Sequence, residues 1–398
     1  MTARQFLGWC SVGLVFAACS PSVTIASSST KGTTGAASGA GAGAGSGAGS
    51  GSGAGATTGS AGGPGVPCEH VAVCTEDPSI SAIDGDSLVA PIVDYVALCN
   101  GQLLLAQKDT AAVAAYDIYQ GQVTAVHALQ ALPSALAVDT QRGLLFVAEA
   151  SLAQLERVDL ASGATQSIPL PAPAVGLALG GDGLLFVSLD DAATAPQRQL
   201  AIVDEVAGTV DGVVTGDYGS LVAYDCSHGQ LITAIQGPGP GVLRRHAFDP
   251  VAKTFVLTQE RDDAGQDCRD LALSPDGEHL VYLCAGGNAG TGSVVDFAPA
   301  DLSVLQGEWQ DHVFPDFVAD PVAAAFSPDS SALIFASSQY LFFLDVAMHA
   351  FMAAQNDGDC WAARGVRMSP YGKQVYALDG CPPDPMVSVI KADWIESG

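Results

Sequence analysis

Apolar and polar positions alternate along most of this chain in short bursts, each closed by a cluster of Gly, Pro, Asp or Ser. That is the period of half-buried strands rather than helices. The clearest burst is Asp270-Leu-Ala-Leu-Ser-Pro-Asp-Gly-Glu-His-Leu-Val-Tyr-Leu283, which reads as a strand, a turn and a second strand. The same pattern recurs in Tyr95-Val-Ala-Leu-Cys-Asn-Gly-Gln-Leu-Leu-Leu105, in Ala135-Leu-Ala-Val-Asp-Thr-Gln-Arg-Gly-Leu-Leu-Phe-Val147 and in Gly176-Leu-Ala-Leu-Gly-Gly-Asp-Gly-Leu-Leu-Phe-Val187. A looser copy starts at Leu221, and two more start at Ala323 and Gly365. Each copy is followed by an apolar run that closes on Asp, at Asp117, Asp159, Asp204, Asp249, Asp296 and Asp345. The last run ends on Lys391 instead. A further strand then follows, as at 122–126, 254–258 and 350–354.

Those closing positions lie 42 to 49 residues apart. Four short strands in about 45 residues is the dimension of one propeller blade. The expected fold is therefore all-β, a seven-bladed β-propeller of four-stranded blades over residues 67–398. The repeat resembles the bacterial YVTN-type propeller repeats, in which a Ser-Pro-Asp-Gly turn leads into a Tyr-Val strand and then a strand ending in Asp. That resemblance implies a fold and not a chemistry, because propellers host many unrelated functions. Asp and Gly recur because Asp accepts hydrogen bonds from the backbone ahead of it and Gly takes positive φ. The last unit lacks a fourth strand, so residues 87–92 are expected to supply it and close the ring, removing an exposed sheet edge.

The alternation stops before residue 67. Arg4 precedes an apolar run over 6–18 that is short for a membrane span and ends Phe16-Ala17-Ala18-Cys19-Ser20. This resembles a bacterial lipoprotein signal, which implies removal of residues 1–18, lipidation of Cys19 and anchoring to a membrane. An ordinary secretory signal is the alternative. Residues 19–66 are mostly Gly, Ala, Ser and Thr and bury no core, so they read as a disordered tether. Localisation in a bacterial cell envelope follows, with Ser20 resembling outer-membrane sorting.

Composition narrows the partners. The net charge is −27 with a pI near 4.2, which disfavours nucleic acid and anionic headgroups. The chain has 10 Cys and no Cys-x-x-Cys pair, as expected of an oxidising compartment. Cys268 and Cys284 flank one hairpin symmetrically, and Cys360 and Cys381 flank another, so both pairs are expected as disulfides. The pairing of Cys68, Cys74, Cys99 and Cys226 stays open.

In a four-stranded meander the loops between strands two and three and between blades share one end, which is here expected to be acidic. Asp262, Asp263, Asp357 and Asp359 are the weak candidates there for a cation such as Ca²⁺. Acids spread over the loops of a highly acidic protein are the plainer reading. No spaced His pair, Gly-x-Ser-x-Gly elbow or haem motif occurs. The expected function is a non-enzymatic binding or scaffold module that engages a protein, peptide or glycan through its acidic loops. The alternative is a lactonase-like propeller hydrolase with a carboxylate-bound divalent metal at the channel mouth.

Overall fold

The computed structural model describes residues 86–87, 92–99, 101–181, 183–190, 198–285, 293–306, 321–337, 340–348, 350–355, 365–369, 374–379 and 386–391. Every regular element among them is a β-strand, and every strand pairing is antiparallel. After the short β1 (Asp86–Ser87), the first sheet is β2 (Ile92–Ala97), β3 (Gln102–Gln107), β4 (Ala112–Asp117) and β5 (Gln122–Ala128). The second is β6 (Pro133–Asp139), β7 (Leu144–Glu149), β8 (Gln154–Asp159) and β9 (Thr165–Pro169). The third is β10 (Ala174–Leu179), β11 (Leu184–Leu189), β12 (Arg198–Asp204) and β13 (Thr209–Gly216).

A seven-stranded sheet comes next. It runs β14 (Leu221–Asp225), β15 (Gln230–Ala234), β16 (Gly237–Asp249), β17 (Thr254–Leu273), β18 (Leu280–Cys284), β19 (Ser293–Phe297) and β20 (Val304–Gln306). Then follow the four-stranded sheet of β21 (Ala323–Phe326), β22 (Ala332–Ala336), β23 (Leu341–Asp345) and β24 (Ala350–Gln355), and finally β25 (Gly365–Met368), β26 (Gln374–Asp379) and β27 (Met386–Lys391). The last three are completed by β1, which pairs Asp86 with Val387 and Ser87 with Met386. Among the described residues the closing strand is Asp86–Ser87; of the expected 87–92, Ser87 pairs with β27, Ile92 instead opens β2 and is buried in the first sheet's core, and 88–91 lie outside the described residues.

The second and third strands of the meanders carry most of the burial. β7, β11, β18 and β22 are buried at every position. A strand covered on both faces has no polar phase, which is why these segments read as continuous apolar runs such as Leu-Leu-Phe-Val. The core is divided into clusters, each wedged between two sheets. Phe186 packs with Tyr224, Phe248 and Phe255 between the third and fourth meanders, with ring centroids 4.8, 5.1 and 5.4 Å away. Another cluster joins the first sheet to the last through Ile92, Tyr95, Leu103, Leu105 and Tyr376. The first strands neighbour one another in the order β2, β6, β10, β14, β17, β21, β25, and β25 lies beside β2.

The expected turn chemistry is present. After their third strands, Asp117, Asp159, Asp204 and Asp249 each accept two backbone N–H bonds at 2.7–3.1 Å from the residues two and three ahead. Asp296 departs from that expectation. Its Oδ2 meets His279 Nδ1 at 2.8 Å, and Asp301 serves the turn instead, accepting from Ser303 N. The residue four after the Asp is Gly121, Gly163 and Gly208 in the first three sheets, at φ 62°, 70° and 65°, but Lys253 in the fourth, at φ 53°.

A Cβ on Gly163 meets nothing within 4 Å, so Gly163→Ala isolates the backbone cost and is expected to destabilise by about 1 kcal/mol. Lys253→Gly relieves that cost and is expected to stabilise by about 0.5 kcal/mol once glycine's larger unfolded-state entropy is subtracted. Its half-exposed ion pair with Asp211, at 3.4 Å, matters little. Chemical denaturation of the two variants checks both signs.

Candidate functional site

Charge is rare on the first strands, and for a geometric reason. Where sheets converge, the space between them is narrowest and admits mainly small side chains. In hairpin register, one position of the first strands holds Asp94, Ala135, Gly176, Leu221, Asp270, Ala323 and Gly365. The position two further on holds Val96, Ala137, Ala178, Ala223, Ala272, Ala325 and Arg367. A Cβ on Gly176 would stand 2.2 Å from the carbonyl oxygen of Ser220 in the next sheet, which shows how tight this tier is.

The three charged exceptions meet. Arg367 Nη2 donates to Asp94 Oδ1 at 3.0 Å, and the guanidinium lies over the Tyr95 ring, 5.4 Å from its centroid. Asp94 Oδ1 also accepts from Tyr95 N, and its Oδ2 accepts from Leu136 N, both at 2.8 Å. Asp270 Oδ2 accepts from Ala324 N at 2.9 Å. Asp94 and Asp270 thus make the same bond, each to a backbone N–H on the first strand of the following sheet. Burial pushes Asp270 above the ordinary carboxylate range, against the pull of Arg367. Burial also works against the charge on Arg367, but Asp94, Tyr95 and Asp270 more than offset it and hold its pKa above the ordinary value.

This arrangement is a clasp. The bonds to Asp94 engage both of its oxygens, so it serves here as an acceptor that ties three segments together. Tyr95 Oη donates to the Tyr376 carbonyl at 2.6 Å, which ties the first sheet to the last a second time. Sequence reading passed over these residues because each is ordinary within its own repeat. The signal lies in the aligned column, where a charge stands among Ala and Gly.

A second constellation has the residue types of a hydrolase but not the geometry. Asp225, Ser227 and His228 share one turn. Asp225 Oδ2 lies 2.6 Å from His228 Nδ1, and Ser227 Oγ lies 2.9 Å from the same nitrogen. A serine–histidine relay needs the carboxylate and the hydroxyl on opposite ring nitrogens. Here both crowd Nδ1, and Asp225 Oδ1 also accepts from His228 N at 3.2 Å, so the group caps a turn.

Asp262 and Asp263 do not sit in a loop between blades. They lie within β17, which continues unbroken from one meander into the next, and both are exposed. Asp263 Oδ1 pairs with Arg261 Nε at 2.8 Å. No group of three metal-ligating side chains occurs among the described residues. Asp357, Asp359, Cys19, Cys360 and Cys381 lie outside them. The basic pair beside His246 is not an anion site. Arg244 is buried and spent on Glu260 at 2.6 Å and Asp217 at 2.7 Å, and burial lowers the His246 pKa to about 4.

Cys268 and Cys284 face each other in register and form a disulfide with an S–S distance of 2.07 Å. Both are fully buried. The neighbouring ribbon leaves them room through Gly241 and Gly265, where an added Cβ would come within 2.6 Å of Cys268 Sγ and 2.3 Å of Cys284 Sγ. Cys99 and Cys226 are also in disulfides.

No family model matches this chain, and no curated protein matches it. Solved structures do. A chain of the Kuenenia stuttgartiensis hydrazine synthase superposes with a TM-score of 0.64 at 15% identity, covering 77% of this chain and 97% of that one. In all, 1465 chains of solved structures match, so the likeness identifies a widespread fold and carries no activity. The chain is an all-β protein built of antiparallel, propeller-like sheets.

Replacing Arg367 by Met and Asp94 by Asn, singly and together, measures the clasp. The pair is partly exposed, with side-chain exposures of 36% and 18%. A coupling energy of about 1–2 kcal/mol is expected, between the values for exposed and buried pairs. Additive effects would show that the contact carries no stability.

Proposed function

We propose that this protein is a bacterial cell-envelope lipoprotein whose seven-bladed propeller is a non-enzymatic binding module. The seven-stranded sheet counts as two blades that share β17. Its first part, from Thr254, is the outer strand of one meander, and its last part, to Leu273, is the inner strand of the next. Seven core clusters, each between neighbouring meanders and one between the last and the first, support that count. In this reading residues 1–18 are removed, Cys19 is lipidated and residues 19–66 are the tether.

The observation that carries the binding role is the contrast between the two ends of the meanders. At the turn end the aspartates are spent on backbone N–H bonds. At the opposite end Asp262 and Asp263 stand exposed on the β16–β17 ribbon, with Asp190 and Asp217 on neighbouring connections. Exposed carboxylates on a ribbon whose second strand is tied to β18 by a buried disulfide form an acidic ridge, suited to a basic or hydroxyl-rich partner such as a protein segment, peptide or glycan.

Cys19→Ala is expected to move the protein from the membrane to the soluble fraction; retention in the membrane would refute the anchor. For the binding role, wild-type protein on beads is expected to retain an envelope component that Asp262→Asn/Asp263→Asn protein loses, in a salt-sensitive manner and with unchanged melting temperature. Equal capture by the two proteins would refute the ridge.

A further inference from the structure

Between the second and third sheets, at the turn end, two acids are sealed together. Asp139 ends β6 and Glu205 opens the turn after β12, and both are buried, each 0% exposed. Arg142, in the turn after β6, donates from Nη1 to Asp139 Oδ2 at 2.7 Å, while Glu205 Oε2 lies 3.8 Å from the same Nη1, outside hydrogen-bond reach. Asp139 Oδ1 is held by Gln141 N at 2.9 Å and Arg142 N at 3.0 Å. Neither oxygen of Glu205 meets a donor among the described residues. The backbone there is fixed, since Glu205 N donates to the carbonyl of Gly183 at 2.8 Å.

A buried carboxylate that meets no donor is among the most costly groups a protein can hold. Placed against a second carboxylate, it is relieved without moving the chain when the pair carries a proton and the carboxylic acid donates to the carboxylate. We propose that Asp139 and Glu205 hold one proton between them, forming a pH-sensitive latch that clamps the second sheet to the third.

Charge and burial agree on where the proton sits. Burial first, and then the charge of Asp139, push Glu205 up to about 8. Burial acts on Asp139 too, but the hydrogen bonds from Arg142 outweigh it and keep Asp139 below the ordinary range. The proton belongs to Glu205. The charged groups facing it are Asp139 and Arg142 from the β6 turn and Asp204 from its own turn; Asp182, in the turn after β10, lies outside the described residues.

The sign follows. Glu205 lies in the ordinary carboxylate range when unfolded and is pushed up to about 8 when folded. The folded state therefore binds the extra proton between those values. Stability from the latch is complete at the acid end, falls as pH rises through that window, and is gone above it. Losing the proton leaves two buried carboxylates on one guanidinium, and the Glu205 turn opens to hydrate them.

Glu205→Gln tests this directly, because the amide is a neutral copy of the acid and still donates to Asp139. Between pH 6 and pH 9 the wild-type melting temperature is expected to fall relative to that of the Glu205→Gln protein. Protection of the Val206, Ala207 and Gly208 amides against hydrogen exchange, corrected for intrinsic rate, is expected to drop in the wild type alone. Parallel melting curves would overturn the latch. Should the variant fold poorly, a ¹³C-carboxyl NMR titration of the wild type decides. A Glu205 resonance moving near pH 8 supports the shared proton, and one that has finished titrating below about pH 6 overturns it.

Discussion

The constraint on which the rest depends is that each sheet buries both faces of its inner strands. A row of such sheets is stable only if its two ends also meet, because otherwise the first and last sheets each expose an apolar face to water. The chain answers this by joining its ends three times over. β1 completes the sheet of β25, β26 and β27. Tyr95 packs and hydrogen-bonds against Tyr376. Arg367 crosses from the last sheet to Asp94 in the first. Two strand residues alone would make a weak seam. The aromatic pair and the ion pair put most of the joint deeper, among the first strands, where the sheets are closest together.

The same convergence explains the distribution of charge. A chain of net charge −27 must place many carboxylates, and this one uses them largely as backbone acceptors. Asp117, Asp159, Asp204 and Asp249 close turns within a sheet, whereas Asp94 and Asp270 reach across to the next one. An acid already bonded to two backbone N–H groups is poorly placed for catalysis, and the Asp225–Ser227–His228 turn illustrates how chemically suggestive residues become structural. Asp262 and Asp263, by contrast, stand exposed on the β16–β17 ribbon, Asp263 beside Arg261.

Much of the fold was legible in the sequence because its determinants are local. Strand alternation, Asp at the end of the third strand and Gly four residues on are each written within one repeat, so the hairpins and their register could be read, including the Cys268–Cys284 juxtaposition across a symmetric hairpin. Features set by more than one repeat were harder. The missing fourth strand was visible as a deficit, and of its expected donor at 87–92 Ser87 does pair with β27, beside Asp86, whereas Ile92 belongs to β2. The fusion of two meanders through β17 was hidden because Glu260, Asp262 and Asp263 look like a polar loop, whereas Gly241 and Gly265 let the ribbon close over a disulfide there. The Asp94–Arg367–Asp270 cluster and the Asp139–Glu205 pair join residues from different repeats, and only the geometry of convergence brings them together.

Completion of the last sheet by β1 is tested most directly by truncation. A chain that begins at residue 89 lacks β1 and keeps every other described strand. A modestly lower melting temperature, with faster hydrogen exchange concentrated in β27 and β26, is the predicted result. An unchanged melt and unchanged protection in those strands would contradict it.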